Sequence, residues 1–214
     1  MGWYSDGCSL FYRSSKFELL SEKNTTNKNY HHYTTGNQNC IVARLRHRHL
    51  NNQVVTVAVT HLKSQQNEEC EAIRIKQVNQ LLDEFLKHNN DIRTSNSDDD
   101  VVVTVNDDSK VVNDNTILLG DFNTELSSEL VKKIRMTNLT SAYDNDDSRM
   151  VTTWKTRGNN ITARRIVDYI FYSAGLTSKS VYSIPFDDIQ RDKLPSLRYP
   201  SDHVLLSAKF ELSR

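Results

Sequence analysis

Apolar positions along the chain follow two periods. Between Glu68 and Lys87, Ile75, Val78, Leu82 and Phe85 recur at helical spacing. Acids open the first turn, and Lys87 and His88 close it, which predicts a helix over 68–87. Elsewhere the apolar runs are short and strand-like. They predict strands at Ser9–Tyr12, Cys40–Leu45, Val54–Thr60, Thr116–Leu119, Ile166–Tyr172 and Val204–Phe210. Strand, helix and strand from 54 to 119 make an α/β unit. No internal repeat interrupts this pattern, and no apolar run approaches the roughly 20 residues that span a bilayer as a helix.

Between the helix and the next strand, residues 89–115 carry seven acids against two bases among many Asn and Ser. A solvated, disordered insertion is the expectation. The Asp run lacks the glycine and the closing glutamate of a calcium loop. A second polar stretch, 21–39, reads as a loop. The 214 residues suit one domain, and 27 basic residues balance 27 acidic ones. Zero net charge argues against a strongly basic nucleic-acid binder, and no DNA partner is expected. Cys8, Cys40 and Cys70 fit neither a zinc spacing nor a disulfide framework, so a reducing compartment is expected. The expected location is the cytoplasm, or the mitochondrion if a leader precedes this chain. The sequons at Asn24, Asn138 and Asn160 then read as chance matches.

Polar clusters sit where strands end. In "ILLGDFNTEL" (117–126) an apolar run reaches Gly120, and Asp121 and Asn123 follow two residues apart. Side chains at that spacing share one face of an extended chain, although Gly, Asp and Asn are also ordinary turn residues. "VAVTHLKS" ends a strand with His61 and Lys63, and "RRIVDYIFYS" sets Asp168 in an apolar run. "YPSDHVLLSAKF" places Asp202 and His203 before the last strand. Each has an ordinary reading: a surface histidine, or Asp168 paired with Arg164 or Arg165. Together they supply the groups that hydrolyse a phosphate ester. A carboxylate or imidazole activates water, cationic donors take the developing charge, and a metal assists. The stretch from Thr152 to Arg165 adds Lys155, Arg157, Arg164 and Arg165 with no acid, a candidate phosphate-facing arm. Trp154 within it reads as core rather than as a stacking platform.

"SDGCSLF" (5–11), "NQ" (37–38), "VAVTHLK" (57–63), "GDFN" (120–123), "TTWKTR" (152–157), "DYIFYS" (168–173) and "LPSLRYPSDH" (194–203) occur in this order. In this the chain resembles the endonuclease/exonuclease/phosphatase family over nearly its whole length. The resemblance implies an α/β (α+β) fold, DNase I-like, with a two-sheet β-sandwich flanked by helices. It implies a Mg2+-dependent phosphoester hydrolase. His61 would donate to a phosphoryl oxygen, and Asp121 would orient or deprotonate the attacking water. Asn123 would bind the phosphate. His203 would be the second imidazole, its tautomer fixed by Asp168. Asn37, Lys63 and Arg157 would hold substrate phosphate or ribose. "THLK" and "TTWK.R" resemble a branch that removes the 2′-phosphate of NADP(H). Removal of poly(A) from RNA by a 3′–5′ exoribonuclease is the alternative, and an inactive interaction module is a third.

Two departures bear on these expectations. Gln65 stands where that branch has an arginine. The family glutamate that holds magnesium, and an asparagine on the first strand, precede the motif that starts here at Asp6. The metal ligands of this chain are therefore left unassigned. The chain is expected to be the C-terminal part of the sandwich, lacking N-terminal strands. Alone it is expected to have little activity and to leave the apolar runs Val54–Val59 and Ile166–Phe171 partly uncovered.

Overall fold

The computed structural model describes residues 7–20, 30–94, 115–144, 150–157 and 161–212, with backbone alone for Tyr30, 86–94, Arg157 and Ile161. Its centre is a sheet of seven strands. These are β1 (Phe17–Leu20), β2 (Tyr30–His32), β3 (Asn39–His47), β4 (Val54–His61), β5 (Thr116–Asp121), β6 (Thr140–Ser141) and β9 (Asp168–Tyr172). The order is β1-β3-β4-β5-β9-β6, with β2 also on β3. The β4–β5 pair is parallel, and α1 (Glu68–Thr94) is its crossover. Every other pair in the sheet is antiparallel.

Strand alternation sends one set of side chains to each face. On one face Val42, Ala58, Leu118, Tyr169 and Phe171 are buried under Val78, Leu81, Leu82 and Phe85 of α1. The short helix α2 (Glu129–Arg135) adds Leu130, Val131 and Ile134. Asn67 caps α1 by accepting from the Cys70 N–H at 2.8 Å, and Ser128 caps α2 through Val131. On the other face lie Leu45, Val55, Val57, Ile117 and Leu119, packed with Leu10, Phe17, Leu19 and Leu212. Leu212 belongs to β11 (Ala208–Leu212), which pairs with β10 (Leu176–Val181). These two strands are the second layer of the sandwich among the described residues. On this face Val55, Val57 and Ile170 are buried, whereas Val59, Ile117 and Leu119 are half-buried, so the runs expected to lie partly uncovered are covered in part.

A satellite cluster of Val151, Ile189, Leu194 and Val204 packs with Trp154, Ile184, Phe186 and Tyr199. It joins the hairpin of β7 (Thr153–Arg157) and β8 (Ile161–Arg165) to α3 (Phe186–Asp192).

Several boundaries differ from the sequence pattern. Ser9–Tyr12 is not a strand, and Phe11 is 91% exposed. The edge of β3 that it could have paired with is taken by β1 and β2. Residues 30–32 of the expected loop therefore form a strand. Residues 204–207 are not in a strand, because the Val204 N–H goes to the Thr152 carbonyl instead of a ladder. The helix runs on to Thr94, into the expected insertion; 95–114 of that insertion lie outside the described residues.

Candidate active site

The site begins with a close approach of two strands. Gly120 has φ +141°, and a Cβ there would lie 1.8 Å from the Thr60 carbonyl oxygen. Only glycine lets β5 run this near β4. The register then sets His61 opposite Asp121. On the other side β9 runs antiparallel, so its first residue, Asp168, faces the last of β5, Asp121. Asp168 thus opens its strand and does not lie inside it. Asp121 and Asp168 share the face of Ile117 and Leu119, the side toward β10 and β11.

The carboxylates and imidazoles converge here. His203 Nδ1 is 2.8 Å from Asp168 Oδ2. A carboxylate there accepts the Nδ1–H and leaves Nε2 free. Nε2 of His203 is 3.9 Å from Asp121 Oδ2, and His61 Nε2 reaches the same oxygen at 3.7 Å from a half-exposed position. The other Asp121 oxygen accepts the Asn123 N–H at 2.8 Å. Asn123 has φ +51° and donates from its amide to the Leu62 carbonyl at 3.0 Å. Burial raises the Asp121 carboxyl above its ordinary value, and the Asp168 charge adds to this. The Asn123 N–H and both histidines oppose it. The Asp168 hydrogen bond raises His203 against its own desolvation, with the charges of Asp168, Asp121 and Asp202 adding.

Thr152 holds this arrangement from below, and sequence reasoning did not single it out. Its buried hydroxyl accepts from the backbone of Val167 at 2.9 Å and Asp168 at 3.2 Å. Its carbonyl takes the N–H of Val204, next to His203. The satellite cluster below buries Val204, which anchors the His203 loop. The only sequence signal was that Thr152 opens a quoted motif.

Lys155, Arg164 and Arg165 of the phosphate-facing arm are engaged within the protein. Lys155 Nζ pairs with Asp202 at 2.6 Å, and the Lys155 hydrogen bond lowers the Asp202 carboxyl. Arg165 pairs with Glu125 at 3.1 Å, and Arg164 stacks over Trp154 and Phe186. Neither arginine pairs with Asp168. Trp154 packs in the satellite cluster, as core. Arg157 closes β7, placed by its backbone alone. Asn37 is exposed in the turn before β3, and Lys63 follows β4 with no carboxylate partner among the described residues. Gln65 sits at φ +77°, its side-chain oxygen 3.6 Å from Cys70 Sγ.

Among the described residues, Asp121, Asp168 and His203 are a group whose ligand atoms lie within 4.8 Å of one another. Asp202 is not part of it. Two close carboxylates, one raised partly by the other, are a pair that a cation relieves. A hard cation such as Mg2+ commonly takes one or two carboxylates and keeps waters. The donor set fits a cation of that kind on Asp121 and Asp168, with the imidazole left to its carboxylate.

The chain is 29% identical to nocturnin of Rattus norvegicus over 217 residues, covering 97% of this chain and 45% of that protein. It is 24% identical to the CCR4-Not complex 3′-5′-exoribonuclease subunit Ccr4 of Kluyveromyces lactis, covering 98% of this chain and 30% of that protein. The chain thus spans less than half the length of these relatives. Among solved structures, the human nocturnin catalytic domain with bound sulfate matches with a TM-score of 0.63 at 24% identity, over 94% of this chain and 62% of that one. ANGEL2, a 2′,3′-cyclic phosphatase, matches with a TM-score of 0.67 at 21% identity, over 98% and 71%. These likenesses show the fold, an α/β DNase I-like sandwich of sheets flanked by helices. The model of the endonuclease/exonuclease/phosphatase family matches residues 1–203. The chain belongs to that family.

Proposed function

We propose that the protein containing this chain is a divalent-metal-dependent phosphoester hydrolase, and that its substrate is the 2′-phosphate of NADP(H). The observation that carries the reading is the convergence of Asp121, Asp168 and His203 at adjoining strand ends, in a chain 29% identical to nocturnin of Rattus norvegicus. In this reading Asp168 keeps His203 in the tautomer with Nε2 free. Asp121 orients or deprotonates the attacking water. His61, at the exposed mouth, donates to a phosphoryl oxygen as charge develops. The side-chain amide of Asn123 and the Lys63 ammonium bind the phosphate. Asn37 and Arg157 hold its ribose or phosphate. Mg2+ on Asp121 and Asp168 would supply Lewis-acid stabilisation of that charge.

The likeness to Ccr4 favours a second reading, 3′–5′ shortening of poly(A). Zero net charge sides with the small ligand, since a long RNA track draws on a basic groove. The test is phosphate release from NADP(H) against shortening of oligo(A), in one buffer with Mg2+, using the longest natural protein that contains this chain. NADP(H) turnover that falls with Lys63→Ala supports the proposal. Shortening of oligo(A) while NADP(H) survives supports the second reading.

A further inference from the structure

Three residues on α1 do something the apolar docking of that helix does not require. Glu71, Arg74 and Gln77 lie at i, i+3 and i+6 and follow one side of the helix beside its apolar stripe. Gln77 is fully buried and Arg74 is 2% exposed. Buried polar groups of this kind are held only by complete hydrogen bonding. Their partners are the loops that carry the proposed phosphate ligands.

Gln77 joins two of these loops through one amide. Its oxygen accepts the Lys63 N–H at 3.0 Å, and its nitrogen donates to the Thr35 carbonyl at 2.9 Å and Gln38 Oε1 at 3.1 Å. Asn37 lies between Thr35 and Gln38. Gly36, at φ +83°, takes the left-handed conformation that favours glycine, with Gln38 Oε1 and the Gln77 amide beside it. Arg74 Nη1 donates to the carbonyls of Lys63 at 2.8 Å and Gln65 at 2.7 Å, which holds Gln65 in its left-handed conformation. Its Nε and Nη2 go to Glu71 Oε2 at 2.7 and 2.6 Å. Glu71 in turn accepts the Thr124 hydroxyl at 3.2 Å, beside Asn123. Asn37, Lys63 and Asn123, distant in sequence, are thereby referred to one rigid helix.

We propose that Glu71, Arg74 and Gln77 are positioning residues that set the spacing of the loops bearing Asn37, Lys63 and Asn123, and so determine affinity for the substrate phosphate. This rests on the reading of the site given above. The apolar stripe of Ile75, Val78, Leu82 and Phe85 fixes the helix on the sheet without them. Leucine at 77 would keep that packing and lose every loop contact.

The test is calorimetric titration of inorganic phosphate with Mg2+ present, and of NADP+ with Mg2+ withheld so that it is not turned over, into wild type, Gln77→Leu, Arg74→Met, Arg74→Lys and Gln77→Glu. Thermal unfolding of each is recorded alongside. Gln77→Leu and Arg74→Met are expected to lose about tenfold or more in affinity while unfolding cooperatively. Arg74→Lys keeps a cation that reaches a carbonyl and should recover to within about threefold of wild type. Should Gln77→Leu not fold, Gln77→Glu retains the Lys63 contact and loses the donor to Thr35, and an intermediate affinity is expected. Unchanged affinity in the folded variants, or a loss that only follows the unfolded fraction, overturns the proposal. Wild type that binds neither ligand overturns the reading of the site itself, a separate result.

Discussion

The pairing of Asp168 with His203 makes a prediction at the scale of single residues. The carboxylate holds the imidazole pKa above its ordinary value. A raised folded pKa gives stability that is fully present below the unfolded pKa, about 6.5, and is lost as pH rises through the folded value. Asp168→Asn can still accept the Nδ1–H but lacks the charge. It is expected to move the His203 titration to lower pH, read by NMR of the ring protons. It should also destabilise the protein at pH 5.5 more than at pH 9. A His203 titration unmoved by Asp168→Asn would remove the ion pair from the account. At this scale much of the candidate cluster was legible in the sequence. His61, Asp121, Asn123, Asp168 and His203 were legible because each is a polar group at the edge of an apolar run. Thr152, Arg74 and Gln77 were not, because their work is done through backbone atoms of residues far away in sequence. A buried Gln on a helix looks like any polar position until its partners are folded around it.

At the scale of elements, Gly120 carries the clearest prediction. A methyl group 1.8 Å from the Thr60 oxygen must push β5 from β4, at the point where His61 meets Asp121. Gly120→Ala is expected to cost ~3 kcal/mol, the upper part of the range for overpacking, measured by denaturant unfolding. A cost under ~1 kcal/mol would mean that the strands part easily and the site is not rigidly set. By comparison, Phe85→Ala, on the fully buried stripe of α1, is expected to cost ~3–5 kcal/mol without altering the site register. The helix α1 and strands β3, β4 and β5 were legible from periodicity, since each buries a regular face. β1 and α2 were too short for a period to emerge. Ser9–Tyr12 had the composition of a strand but joins none, because β1 and β2 occupy that side of β3, and edges are a property of the assembled sheet.

At the scale of the whole molecule, the second layer is the distinguishing feature. β10 and β11 cover one end of the sheet face, and beside them runs a groove of ≈ 1370 Å³ lined by Leu45, Val55, Val57, Ile117, Leu176 and Phe210. Lys179 and Lys209 stand at its wall. An anionic apolar dye such as ANS is expected to bind residues 1–214 there, and Lys209→Glu, an exposed position, should weaken that binding. Equal fluorescence in wild type and Lys209→Glu would place the dye elsewhere. The sandwich plan was legible only through the family motifs. Periodicity gave strands and a helix, but it could not say which strands share a layer.

The central claim is that the strand-end cluster of Asp121, Asp168 and His203 hydrolyses a phosphate ester. The most direct measurement is the rate of phosphate release from NADP(H) with Mg2+ by the longest natural protein that contains this chain, compared with its Asp121→Ala and His203→Ala variants. Each variant is expected to fold as wild type, because both residues lie at the edge of the core, and to lose on the order of 10²-fold or more in kcat. Near-normal turnover in either folded variant would contradict the account.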